Sequence, residues 1–100
     1  MSEGVALRIR GFVWLEQYVE KVLWKHDATP EEVEAVFAGA PRYRFVEKGH
    51  VAGENMYAAL GQTDEGRYLI VFFIYKRDGR ALIISARDMD DSEKRLYGRK

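Results

Sequence analysis

A few basic, acidic and phenolic residues could carry acid–base chemistry in this chain of 100 residues. Lys25 and His26 are adjacent, whereas His50 follows a glycine and is expected to be exposed to solvent. The other candidates lie in the last third of the chain, and they are Arg67, Arg80, Arg87, Glu93, Lys94 and Tyr97. The chain has no cysteine, which excludes disulfides and thiolate metal sites. Because the standard cofactor and zinc motifs are absent as well, neither a cofactor nor a metal site is predicted.

These residue types suit cleavage of a phosphodiester without a metal ion. An arginine can neutralise the charge that builds up on the non-bridging phosphate oxygens. A histidine or a glutamate can accept the proton of a 2′-hydroxyl group, and another group can protonate the leaving oxygen. A pair of guanidinium groups, a carboxylate and a phenol near one another would therefore be a candidate site.

Each of these residues also has a structural interpretation. Arg67 and Arg87 could form salt bridges at strand ends, with Asp64, Asp88 or Asp90 as partners. Tyr97 could anchor one face of a helix, and His26 could end a packed helical face. For any one residue taken alone the structural interpretation is favoured, so the functional hypothesis depends on their grouping.

Composition favours one soluble domain over residues 1–100. Hydrophobic residues make up 47% of the chain, enough for one modest core, and the net charge is zero. The charge is uneven, because residues 67–100 hold nine basic and five acidic residues, whereas 26–66 hold three and eight. The N-terminus has no long apolar segment, and the longest apolar run, 68–75, is too short to span a bilayer. A cytoplasmic protein without membrane contact is the expectation.

The hydrophobic pattern predicts an α+β fold. Its elements are a strand at 5–14, a helix at 15–26, a tight corner at 26–28, and a second helix led by Thr29 and Pro30. Strands at 42–47, 55–63, 67–76 and 81–86 follow, with a loop at 49–54 and a final short helix capped by Asp90 or Asp91. The pattern predicts an antiparallel sheet of four to five strands with two N-terminal helices and a short C-terminal helix.

The predicted hairpin brings the two candidate arginines to one end of the sheet. With Asp78 and Gly79 at the turn, residue 77 pairs with 80 and residue 67 lies opposite about 90. Arg67 and Arg87 should therefore be near the same end, where the final helix also begins.

Several short motifs lie along the chain between the first strand and the final helix. The sequence has an aromatic-x-Trp at 12–14 with His26 twelve residues after the Trp, and then "TPEEVEAVF" at 29–37. It continues with Gly66-Arg67, "IISAR" at 83–87 and "EKRLY" at 93–97. Together these motifs resemble the BrnT-type toxins of bacterial type II toxin–antitoxin systems, and the resemblance covers about residues 10–97. Leu15, Tyr18, Val22 and Asp27 stand where that family usually has an acidic residue, a lysine, an asparagine and a glycine.

The resemblance implies a RelE-like fold and a toxin that cleaves RNA. It also implies a protein antitoxin that binds DNA, and a homodimer in that complex. The implied catalytic residues are His26, Arg67, Arg87 and Glu93, with Arg67 and Arg87 on the phosphate and His26 or Glu93 as base or acid. The residues expected to bind the substrate are Lys25, Arg80, Lys94 and Tyr97.

Two other functions remain open at this point. One is a non-catalytic interaction domain on the same scaffold, which the zero net charge and the acidic second helix would suit. The other is a small-molecule enzyme that uses the same acid–base residues, although no substrate pocket is marked in the sequence.

Overall fold

The fold is a five-stranded sheet with two helices on one face and a short helix on the other. The computed structural model describes residues 7–98, except for the side chains of 22–26. Its elements are β1 (Gly11–Val13), α1 (Glu16–His26), α2 (Pro30–Ala38), β2 (Arg42–Val51), β3 (Glu54–Gln62), β4 (Tyr68–Tyr75), β5 (Arg80–Asp88) and α3 (Asp91–Gly98). The α+β prediction and its three helices are confirmed.

The sheet is mixed, which corrects the fully antiparallel prediction. Its strand order is β1-β5-β4-β3-β2. The pairs β2–β3, β3–β4 and β4–β5 are antiparallel, as predicted, but β1 lies at the edge parallel to β5, with Gly11 opposite Arg80. The alternation of residues along a strand reports its buried face and not its partner, so this pairing has no sequence signal. β1 is also shorter than predicted, and residues 5–6 of that prediction lie outside the described residues.

The predicted loop at 49–54 is wrong. β2 runs to Val51 and β3 starts at Glu54, so Ala52 and Gly53 alone make the turn. Gly53 supplies a φ of +83° there, a conformation that glycine adopts at little cost. The sequence around Gly49 looked like a loop because glycine is rare inside strands. In the structure Gly49 lies within β2, where an added Cβ would collide with the backbone carbonyl of Glu54.

The corner between α1 and α2 is built from local chemistry. Asp27 follows the last residue of α1 with a φ of +53°, the left-handed conformation that commonly ends a helix. Thr29 then caps α2, because its Oγ1 accepts from the Glu32 N–H while a Glu32 carboxylate oxygen accepts from the Thr29 N–H. The predicted capping box is confirmed, and Asp27 occupies a position where glycine would relieve strain.

The two faces of the sheet hold separate apolar cores. The larger core lies under α1 and α2 and centres on Phe73, whose ring is 5.2 Å from that of Phe37. The smaller core lies under α3 and consists of Ala58, Leu60, Ile70 and Met89. We call these the helix-pair face and the α3 face. Residues of β4 alternate between them, so Leu69, Val71 and Phe73 face the helix pair whereas Ile70 and Phe72 face α3.

Candidate active site

Arg67 binds the α1–α2 corner to the end of the sheet. Its Nε donates to Asp88 Oδ1 at 2.8 Å, and its NH1 donates to the Asp27 carbonyl at 2.8 Å. The same NH1 donates to Glu32 Oε1 at 3.1 Å. The hydrogen bond to Asp88 is the main reason that the pKa of Arg67 is raised above its ordinary value. Arg67 therefore holds the corner that carries Lys25 and His26, whose own side chains lie outside the described residues.

Arg87 makes a two-point pair with Glu93 at the start of α3. Its NH1 donates to Glu93 Oε1 and its NH2 to Glu93 Oε2, both at 2.8 Å. The guanidinium carbon also lies 5.6 Å from the centre of the Phe72 ring, on the α3 face. Arg87 NH1 reaches the Asp88 carbonyl at 3.1 Å as well. The parallel geometry of the pair fixes the plane of the guanidinium group.

Glu93 also belongs to the cap of α3. Its N–H donates to Asp90 Oδ1 at 2.8 Å, and its Oε1 accepts from the Asp90 N–H at 2.9 Å. This is a second capping box, with Asp90 as the cap, whereas the sequence left the cap open between Asp90 and Asp91. The hydrogen bonds from Arg87 are the largest cause of the lowered pKa of Glu93, and the positive charge of Arg44 contributes to the same shift. Glu93 is therefore a buried carboxylate held in its charged form at neutral pH.

Arg67 and Arg87 lie at the same end of the sheet, as predicted, but on opposite faces. Leu69 pairs with Asp88 and Ile70 with Arg87, which places both arginines at the end where α3 begins. Arg67 binds α2 on the helix-pair face, whereas Arg87 binds α3 on the other. Asp88 lies between them, with its side chain on Arg67 and its carbonyl on Arg87. The predicted group is thus divided by the sheet into two clusters.

The two clusters share one construction. In each, an arginine at a strand end binds the glutamate at the third helical position of a capping box, Glu32 in α2 and Glu93 in α3. Each arginine therefore fixes one helix N-terminus to one face of the sheet. This is the salt-bridge role that the sequence favoured for each arginine alone, although Glu32 and Glu93 were not among the partners expected.

The remaining predicted residues fall at different places. Arg80 lies at the far end of β5, paired with Asp78 at 2.8 Å, and so does not join either cluster. Lys94 and Tyr97 lie on α3 beside Tyr68, with the Lys94 ammonium 5.5 Å above the Tyr68 ring and the Tyr97 ring 6.1 Å away. His50 is exposed, as expected.

Two residues on the α3 face were missed by the sequence analysis. Arg44 pairs with Ala58, a residue of the smaller core, and its charge lowers the pKa of Glu93. Tyr68 precedes Leu69 in β4 and shares a face with Ile70 by alternation. The place of Tyr68 on the α3 face could have been predicted, because it lies two residues before Ile70 in the same strand. Arg44 could not, since the misplaced loop at 49–54 hid the register of β2.

Replacing Arg67 with alanine is expected to destabilise the fold by about 1–3 kcal/mol. Glu32 and Asp88 would lose their common counter-charge, and the Asp27 carbonyl would lose its hydrogen-bond donor. The range allows for solvent screening, since about a quarter of the Arg67 side chain is exposed. Urea denaturation at neutral pH measures the change. Arg80→Ala is the matched control, since its pair with Asp78 is half exposed. Equal stability losses for the two variants would contradict the proposed role of Arg67.

Two further findings come from the described residues. Within this part of the chain, no three histidine, cysteine or acidic side chains are grouped so that they could hold a metal ion. Among its helices, none has both the length and the apolar character needed to cross a membrane.

Comparison with known proteins identifies a family whose model covers most of the chain. The family model described as "Ribonuclease toxin, BrnT, of type II toxin-antitoxin system" matches residues 14–93. That range includes both capping boxes and both arginines. No curated protein matches the sequence.

Proposed function

We propose, since this chain belongs to the BrnT family of ribonuclease toxins of type II toxin–antitoxin systems, that it cleaves RNA on the α3 face of its sheet. A toxin of this type has RNA as its substrate and a protein antitoxin as its partner. We choose this face because it holds the Arg87–Glu93 pair together with two further cationic residues, Arg44 and Lys94. A cytoplasmic location and a homodimer stay predictions.

The α3 face suits an RNA phosphate better than the helix-pair face. Arg67 is bonded to two carboxylates, those of Glu32 and Asp88, and a phosphate would have to compete with both. Arg87 is hydrogen-bonded to one carboxylate, that of Glu93, and Asp90 adds only the attraction of its charge. Because Arg44 acts on that same carboxylate, an incoming phosphate would meet a second cation there. Electrostatic attraction of this kind supplies much of the affinity of proteins for nucleic acids.

In the proposed reaction, the scissile phosphate replaces Glu93 on the guanidinium fork of Arg87. A phosphate offers the same paired oxygens that Arg87 binds in the carboxylate. Glu93, released from this pair, accepts the proton of the neighbouring 2′-hydroxyl group. The 2′-oxygen attacks phosphorus, the bond to the 5′-oxygen breaks, and the products carry a 2′,3′-cyclic phosphate and a 5′-hydroxyl group. The 5′-oxygen takes its proton from Lys94, which is exposed on α3, or from Tyr97, which is half-buried against the smaller core.

Lys25, His26 and Arg67 have a different place in this proposal. Arg67 acts as a positioning residue for the α1–α2 corner, through its bond to the Asp27 carbonyl. Lys25 and His26 are the last two residues of α1, at the same end of the sheet, so they are proposed to contact RNA that extends past the site. Arg80 has no part in the reaction, because it lies at the opposite end of β5.

The test is incubation of the purified chain with a single-stranded RNA in the presence of a metal chelator. We expect fragments that end in a 2′,3′-cyclic phosphate, which separates this chemistry from that of most contaminating metal-dependent nucleases. Addition of the cognate antitoxin should stop the cleavage. A folded protein that leaves the RNA intact under these conditions would contradict the proposal.

The alternative is a non-catalytic interaction domain on the same scaffold. One observation favours it: the residues that would do the chemistry, Arg87 and Glu93, are already used to attach α3 to the sheet. In that case the chain would bind an antitoxin without cleaving RNA. The same incubation distinguishes the two functions.

A further inference from the structure

Tyr68 is an exposed aromatic residue with no role in either core. Among the described residues five large hydrophobic side chains are exposed, and they are Leu15, Phe45, Val46, Val51 and Tyr68. Tyr68 is 36% exposed although it begins the most apolar strand of the sheet. It differs from the other four because a cation of the α3 face lies over its ring. Lys94 lies above its ring, and Arg87 lies opposite Ile70, two residues farther along β4.

The spacing between Tyr68 and Arg87 fits one nucleotide. Arg87 pairs with Ile70, and Tyr68 is two residues away on the same face, a separation of about 7 Å along the strand. A phosphate bound by Arg87 would therefore place a neighbouring base over the Tyr68 ring. Tyr97 supports that ring from the side, at an interplanar angle of 74°.

We propose that Tyr68 stacks against a base next to the phosphate bound by Arg87, and that this contact selects single-stranded RNA. This inference rests on the proposed function and deepens it by naming the substrate class. In the absence of RNA the ring is covered by the Lys94 ammonium at 5.5 Å. Stacking of a base on an aromatic ring is stronger than a cation–π contact at an exposed site, so a base displaces Lys94 toward the phosphate.

Double-stranded RNA cannot make this contact. Its bases are stacked on each other within the helix, and its deep major groove keeps side chains away from their edges. Unpaired bases can be turned out and stacked on aromatic side chains. The geometry of Tyr68 therefore favours loops and unpaired segments over duplex regions.

The test is binding of a labelled oligonucleotide that carries 2′-O-methyl groups throughout and so cannot be cleaved. Fluorescence anisotropy is measured for this strand alone and for its duplex. For the single strand, we expect Tyr68→Ala to weaken binding by about tenfold and Tyr68→Phe by less than about twofold, since the ring and not the hydroxyl group makes the contact. Duplex binding should be weaker than single-strand binding and should not change in either variant.

Phe45→Ala is the matched control, because Phe45 is exposed but packs against Tyr57 on the helix-pair face. It should bind the single strand as the parent does, and circular dichroism should show that all variants are folded. Equal binding by the parent and Tyr68→Ala, equal affinity of the parent for strand and duplex, or no binding by the parent would each overturn the inference. Because the oligonucleotide cannot be cleaved, binding that depends on Tyr68 would support the inference even if the chain proved to have no ribonuclease activity. Active cleavage with unchanged binding in Tyr68→Ala would leave the proposed function intact and remove only this contact.

Discussion

Replacing Arg87 with lysine is expected to lower the rate of RNA cleavage by about 100- to 1,000-fold, the typical loss when one preorganised donor to a developing anion is removed. Arg87 now presents two N–H groups in one plane, and each reaches a Glu93 oxygen at 2.8 Å. Lysine would keep the positive charge, and with it a salt bridge to Glu93, but it has no second donor at a fixed angle. The scissile phosphate would then lose its two-point contact in the transition state.

The measurement is the initial rate on a single-stranded RNA in the presence of a chelator, with urea denaturation of each variant alongside. Arg77→Lys is the control, since Arg77 donates to the Ala52 carbonyl at the far end of the sheet. That variant should cleave RNA as the parent does. If Arg87→Lys also kept the parental rate, Arg87 would serve only to attach α3, and the site would have to lie elsewhere.

The predicted hairpin places the two arginines at the correct end of the sheet. It does so because two differences from the predicted strand pairing offset each other. The sequence predicted a turn of two residues, Asp78 and Gly79. In the structure Tyr75 pairs with Ala81, and the loop is one residue longer. A bulge at Ile84 then adds one residue to β5 and restores the predicted register, with Ile70 opposite Arg87. Bulges depend on the fit of neighbouring strands, so neither feature could be read from the sequence.

The predicted register already implied that Arg67 and Arg87 lie on opposite faces of the sheet. Residues paired across a ladder share a face, and alternate residues along a strand do too. If residue 67 lies opposite 90, then Arg67 shares a face with residues 88 and 90, and Arg87 lies on the other. Distance along the sheet places the two arginines at one end, whereas this alternation places them on different faces. The parallel position of β1, in contrast, had no signal, because its three residues pair without any turn to fix their partner.

The helix termini were the most predictable part of the candidate site. Thr29 and Glu32, and then Asp90 and Glu93, have the spacing of a capping box in the sequence itself. The spacing does not show that an arginine at a strand end forms a salt bridge with the glutamate of each box. That second interaction depends on how α2 and α3 pack on the sheet, and it makes Glu93 both an anchor of α3 and a candidate base.

Replacing Glu93 with glutamine is expected to lower RNA cleavage by about 100- to 10,000-fold, the range for loss of a general base. Glutamine is as suitable as glutamate at the third position of a capping box, so the Asp90 cap and the start of α3 should persist. Its amide oxygen can still accept one hydrogen bond from Arg87. The change therefore removes the basic carboxylate and leaves most of the anchor in place.

The pH dependence of cleavage separates a base from a residue that only positions Arg87. Arg87 lowers the pKa of Glu93 in the chain without RNA, so the acid limb of kcat/KM should lie below the ordinary glutamate value of 4.5. Once the phosphate has taken Arg87, that cause is lost and the pKa of Glu93 rises. The acid limb of kcat should therefore lie at higher pH than that of kcat/KM, and Glu93→Gln should lack both limbs. Glu93→Asp, which keeps a carboxylate, should retain them at a reduced rate. Were Glu93→Gln to keep the parental pH profile, Glu93 would be a structural partner of Arg87 and the base would have to be another residue.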